Sequence, residues 1–253
     1  VATKPKKPAK YDLKAGERKR NLAIQIGLTA VVVVFAVALV LYIVMSSDKQ
    51  SGGQVQAVRV AAADVMTNEG TSDPKAVISL YEDFQCPHCR SFEQAMGPTL
   101  KKLVDSGAVA IDYHMVAILD TPTNKNYSTR SANAAYCVAN EDTTPMKDSF
   151  RRFHGALFAQ QPQEGSPAPD NASLIETARQ AGVAGEVAEC IDKGNYNDMV
   201  DGLAAAAGIN STPSVRINGE DYQYSTPEAL IAKVEEIVGD VPSLDAAPAP
   251  AAS

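Results

Sequence analysis

Residues 76–92 read AVISLYEDFQCPHCRSF, and the fold follows from how that stretch divides. Residues 76–81, after the break at Asp73-Pro74, form an apolar run with the pattern of a buried strand. In residues 88–105, Phe92, Met96, Leu100, Leu103 and Val104 recur at helical spacing. Cys86-Pro87-His88-Cys89 sits where the strand hands over to the helix. Pro98 is expected to kink that helix and Gly107 to close it, and residues 109–118 return as a second strand. Strand, helix and strand in this order predict a βαβ unit with a parallel pair of strands, and so an α/β fold.

The junction decides the chemistry. A cysteine at the start of a helix has its sulfur against unpaired N–H groups at the positive end of the helix dipole. That stabilises thiolate over thiol and lowers the pKa. Pro87 costs nothing there, because the N–H it lacks had no partner. Cys89, one turn further in, is within reach of Cys86 but sheltered from substrate. Cys86 is therefore assigned the mixed disulfide, and Cys89 the resolving role. His88, between the sulfurs, can donate a hydrogen bond or charge to the Cys86 thiolate. Stabilising the reduced form makes the disulfide a stronger oxidant.

Two cysteines at this spacing also occur in zinc and haem sites. Haem attachment needs histidine directly after the second cysteine, and position 90 is Arg. A zinc knuckle needs a second close ligand pair, whereas Cys137 and Cys190 lie far apart and His88, His114 and His154 are scattered. A purely structural disulfide is the plainer alternative, disfavoured because so short a spacer gives a tight, reactive ring. No metal is expected, and no cofactor beyond a Cys86–Cys89 disulfide.

Beyond residue 120 the pattern changes. Residues 129–139, 147–159, 171–181, 183–192 and 196–207 are amphipathic and Ala-rich, a helical insertion spanning about 120–208 and broken by the loop 161–170. Cys137 and Cys190 both fall within it. A staple between two insertion helices is the reading adopted, worth about 4 kcal/mol in the chain-entropy account; a second redox pair or a partner-linking thiol is its rival. Residues 214–217 and 221–224 flank Asn218-Gly219-Glu220, a hairpin signal. Thr226-Pro227-Glu228 opens a last helix that ends at Gly239, with a hydroxyl cap, proline in the first turn and an acid at the dipole's positive end. Residues 58–60 are read as an edge strand, and 241–253 as a disordered Ala/Pro tail.

Phe84-Gln85-Cys86-Pro87-His88-Cys89, preceded by a buried strand, resembles the DsbA-like branch of the thioredoxin superfamily. The similarity covers about residues 57–240: a thioredoxin-type β-α-β, a helical insertion, a hairpin and a closing helix. It implies a protein disulfide oxidoreductase with a cis-proline facing the redox pair. Thr212-Pro213, directly before residues 214–217, matches that feature and would offer backbone groups to an extended substrate. A trans proline that merely ends a helix is the alternative. The family often carries a buried acid six positions before the first cysteine as proton relay for the resolving thiol. Here that position is Leu80. Glu82 shares the strand face and Asp83 is adjacent, but both are expected to be solvated at the strand's end, which leaves the relay unassigned.

The chain has 253 residues and a net charge of -7, unevenly spread. Residues 1–21 hold eight Lys/Arg against Asp12 and Glu17, so an acidic body follows a basic head and nucleic-acid binding by the body is disfavoured. Residues 26–45 carry no charge, enough helix to cross about 30 Å of hydrocarbon. Residues 22–45 are expected to be a single transmembrane helix, with 1–21 cytoplasmic, 46–56 a polar linker and the domain outside. A cleaved signal peptide is the alternative. Outside the cytoplasm disulfides persist. The expected function is disulfide donation to secreted or unfolded proteins. The resemblance implies reoxidation by a membrane quinone-linked partner of the DsbB or vitamin-K-epoxide-reductase type. A reductase or isomerase, and a non-catalytic subunit of a membrane complex, are the other classes.

Overall fold

The apolar run before the cysteines becomes β2 (Val77–Glu82), the central strand of a five-stranded sheet. A computed structural model describes residues 57–183 and 185–241. The basic head, the expected span 22–45, the linker and the tail from 242 onward lie outside the described residues. Among the described residues no helix is long and apolar enough to cross a membrane.

Next to β2 lies β3 (Ala110–Met115), parallel to it and reached through α1 (Pro87–Asp105). Beyond β3, β1 (Val58–Ala61) pairs antiparallel at the edge. On the other side β4 (Ser214–Ile217) runs antiparallel to β2, followed by β5 (Glu220–Asp221), giving the order β1-β3-β2-β4-β5. Ile78 and Leu80 are fully buried in β2. Each such side chain contributes roughly 1.5–3 kcal/mol of burial, which holds the strand under the redox motif in one register.

The helical insertion comprises α2 (Tyr127–Glu141), α3 (Asp148–Ala159), α4 (Asn171–Gln180), α5 (Val187–Lys193) and α6 (Asn197–Ala207). Ala132, Ala134 and Ala135 of α2 are fully buried, and their small size lets α3, α4, α5 and α6 pack against this one helix. Cys137 and Cys190 are joined, linking α2 to α5 across 53 residues. The closing helix α7 (Pro227–Val238) is capped by Thr226 Oγ1, which accepts from Ala229 N at 3.2 Å, and packs on α1.

Several local expectations change. Helix α1 is not interrupted at Pro98, which lies on its exposed side. Strand β3 stops at Met115 rather than reaching 118, because the N–H groups of Ile118 and Leu119 turn to the carboxylate of Asp83 instead of the ladder. In the hairpin, Asn218 (φ 51) and Gly219 (φ 87) take the paired positive φ values of a two-residue turn. Its return strand is shorter than 221–224: after Tyr222 N donates to Val215 O the chain leaves the sheet, and Tyr224 lies edge-on against Phe92 of α1. Helix α5 starts four residues later than the 183 expected, after Gly182 and Gly185, both at positive φ.

Candidate active site

Cys86 is the N-cap residue of α1, in extended backbone, and Cys89 lies one turn inside. Both are free thiols; Cys86 is 5% exposed and Cys89 not at all. Cys86 is pushed down to about 5, first by a hydrogen bond from the Cys89 thiol, against desolvation, with the Thr212 side chain and the N–H groups of Cys89 and His88 adding to it. Cys89 is driven the other way, first by burial, then by its bond to Cys86 and the charge of Glu82. One sulfur is therefore ionised at neutral pH and its neighbour is not. His88 contributes through its main chain; its ring is exposed and makes no hydrogen bond. Pro87 is exposed beside it.

Across from the pair, the Thr212-Pro213 peptide bond is cis, and Cys86 Sγ lies 3.4 Å from Thr212 O, to which it donates only when protonated. The redox motif and this loop are 126 positions apart, and β4, paired with β2, carries the loop to the sulfur. Tyr224, 38% exposed, stands at the lip of the site on Phe92.

The expectation that Glu82 and Asp83 are solvated is overturned: they are 2% and 0% exposed. Strand β2 is interior to the sheet, so its last residues end beneath the insertion helices rather than in water. Asp83 accepts from Gln85 N (2.8 Å), Ser128 Oγ (2.7 Å), Ile118 N (2.8 Å) and Leu119 N (3.0 Å), which ties the ends of β2 and β3 to the start of α2. Burial still holds its pKa above the ordinary value.

Glu82 instead lies near enough to Cys89 for its charge to act on that thiol. His154 Nε2 of α3 lies 3.0 Å from its carboxyl, and Glu93 of α1 completes a cluster whose polar atoms lie within 4.8 Å of one another. Desolvation raises both glutamates to about 8; a hydrogen bond from Glu93 opposes this at Glu82, while the charge of Glu82 reinforces it at Glu93. His154, enclosed by the rings of Phe84, Tyr113, Phe150 and Phe158, is held below its usual pKa by burial. At neutral pH the cluster is thus protonated on its carboxyls and neutral on its imidazole. It is the one group of potential metal ligands among the described residues, but two protons must leave before the carboxylates can bind a cation. Leu80, at the family's acid position, is core. Glu93 was legible as one helical turn beyond Cys89, whereas nothing in the sequence placed His154, 72 positions from Glu82, beside it. His114 lies apart from this cluster, stacked on Tyr81.

A thiol poised as thiolate at a helix start, a sheltered partner thiol and a cis-proline loop against them define a thiol–disulfide oxidoreductase. The chain belongs to the thioredoxin family, whose model matches residues 64–236, and its described domain is a thiol–disulfide oxidoreductase of the DsbA type. The solved structure of reduced DsbA from Mycobacterium tuberculosis is similar, with 57% identity and a TM-score of 0.72 over 75% of this chain and 96% of that one. The reduced disulfide bond oxidoreductase DsbG from the same organism is 56% identical, with a TM-score of 0.72, over 78% and 95%. Among curated proteins, the serine/threonine-protein kinase PknE of M. tuberculosis is 29% identical over 172 residues, 64% of this chain and 30% of the kinase. The match thus spans less than a third of that relative's length.

Proposed function

We propose that the protein is an extracytoplasmic oxidase that donates the Cys86–Cys89 disulfide to secreted or unfolded proteins. A substrate thiolate attacks Cys86 Sγ, the Cys86–Cys89 bond breaks, and Cys89 leaves with the electron pair. The protonated Glu82–Glu93 pair supplies the proton that Cys89, with its raised pKa, takes up. A second substrate thiol, deprotonated, then attacks the substrate sulfur of the mixed disulfide. Cys86 leaves as a thiolate, and two electrons have passed from substrate to enzyme. The Thr212 carbonyl and Pro213 flank the sulfur on the side where an extended substrate would lie, and His88 borders the same opening.

The observation that carries this reading is the depressed pKa of Cys86 beside a buried, protonated Cys89. A sulfur that is a stable thiolate is a good leaving group and makes the disulfide oxidising. Reoxidation is assigned to a membrane quinone-linked enzyme of the DsbB or vitamin-K-epoxide-reductase type, beside which the span 22–45 would hold the domain. The pair itself carries the electrons, and no further cofactor is invoked.

The redox equilibrium with glutathione tests the direction. An oxidase comes to equilibrium well above a thioredoxin-like potential of about −270 mV; a value that low would make the protein a reductase. A Cys89→Ser variant should accumulate mixed disulfides through Cys86, and a failure to trap any substrate would favour a non-catalytic binding role.

A further inference from the structure

The turn that presents Cys86 is neither strand nor helix: residues 83–86 connect β2 to α1. Its inner side is fixed by Asp83 and by Asn124, whose side-chain amide donates to Gln85 Oε1 and to Leu119 O. Its other side is held by a residue far away in sequence. Gln161 follows α3, with its own N–H on Phe158 O, and its side-chain Nε2 donates to Phe84 O at 3.0 Å and to Cys86 O at 2.9 Å. One amide group thus spends both hydrogens on the two carbonyls that bracket Gln85. Among the described residues nothing else donates to the Phe84 carbonyl.

The surroundings make this a fixed strap. Phe158 at the end of α3 packs on Phe84 with ring centroids 5.0 Å apart, which sets where Gln161 emerges. Two residues later Gln163 O accepts from Gln85 Nε2 at 3.3 Å, and the loop closes on itself through Ser166 N and Oγ, both donating to Gln163 O. We propose that Gln161 is a positioning residue for the redox pair: its amide holds the strand-to-helix turn so that Cys86 Sγ stays seated over the first turn of α1, and it thereby sets the reactivity of that sulfur. The Cys86 side chain makes no capping hydrogen bond of its own, and its backbone is otherwise held by its N–H on Asp83 O at 2.9 Å and by Arg90 N on its carbonyl at 3.2 Å. The N–H groups of His88 and Cys89 act on the Sγ only while the backbone of residue 86 keeps its extended setting, and the Gln161 bond to the Cys86 carbonyl acts on that setting directly. The helical insertion is then part of the redox machinery as well as its cover.

This inference rests on the reading of Cys86 as a stabilised thiolate, and the experiment separates the two. Gln161→Met keeps the length and removes both donors, while Gln161→Glu sets a carboxylate against two carbonyls. Thiolate absorbance of the reduced protein is titrated for each, with exposed Gln160→Ala as a neighbouring control and far-UV circular dichroism to confirm the fold. Both Gln161 variants should raise the Cys86 pKa by roughly half a unit to one unit, three- to tenfold in proton affinity. The glutathione equilibrium should move in parallel towards the disulfide, and Gln160→Ala should match the wild type. Should Gln161→Glu not fold, Gln161→Met alone carries the test. Folded variants with lower thermal stability but an unmoved Cys86 pKa and glutathione equilibrium would show a merely structural role and overturn the proposal. A wild-type Cys86 that titrates as an ordinary thiol would instead remove the underlying reading, and this one with it.

Discussion

Two titrations of opposite sign meet within one helical turn of α1. For Cys86 the folded pKa of about 5 lies below the ordinary thiol value, so folded, reduced protein binds fewer protons than the unfolded chain from pH 5 up to about 9. The stabilisation of the reduced form is fully present above that window and is lost as pH falls through 5. The gap between reduced and oxidised stability should therefore shift in favour of the reduced form as pH rises, and paired urea titrations of the two forms check it. The carboxyls of Glu82 and Glu93 work the other way, held at about 8 in the fold against an ordinary 4.5. Their contribution is present below about 4.5 and lost as pH rises through 8. Oxidised protein, in which the thiols do not titrate, leaves the carboxyls against His114 and His154, whose lowered pKa gives the opposite slope below about pH 6.5; its stability should therefore fall between about pH 6.5 and 8.5, and Glu93→Gln should flatten the slope. An unchanged slope in that variant would show that Glu93 ionises normally. The acid that sequence alone left in solvent is buried because burial at the end of β2 depends on helices that arrive 70 positions later.

Between elements, one tie staples the insertion internally and another holds it to the sheet. The Cys137–Cys190 bridge closes a 53-residue loop, and replacing both cysteines by alanine should cost about 4 kcal/mol in the chain-entropy account. Thiol exchange at Cys86 should survive, since the bridge joins α2 to α5 and the redox pair sits on neither helix; a matching loss of exchange rate would argue for a second redox centre. Asp83 is the other tie. Asp83→Ala leaves four donors without their acceptor at the junction of β2, β3 and α2, a loss of at least about 3 kcal/mol measured by denaturant unfolding. Helix identity in the insertion was readable from periodicity, because each amphipathic stretch repeats its apolar residues locally. The short β5 and the early end of β3 were not. Tyr222–Tyr224 and residues 116–118 have strand composition, but Phe92 and the Asp83 carboxylate compete for them in space.

At the scale of the whole chain, the proposed arrangement predicts a membrane-bound protein with its redox domain outside. The full chain should sediment with membranes and resist extraction at high pH, and protease added to intact cells or spheroplasts should digest the domain. Recovery in a soluble fraction would point to a cleaved leader instead of an anchor. Sequence by itself determined the strand-to-helix junction, the redox pair and the α/β order around them, because all three are set by neighbours within one or two turns of chain. Tertiary structure alone decided which charges are dry and which hydrogen bonds hold the site. Glu82 meets Glu93 and His154, Cys86 meets Thr212, and Gln161 grips the redox turn from 75 positions away. Those contacts depend on where packing of the insertion against β2 and α1 brings distant segments, and local periodicity carries no record of that.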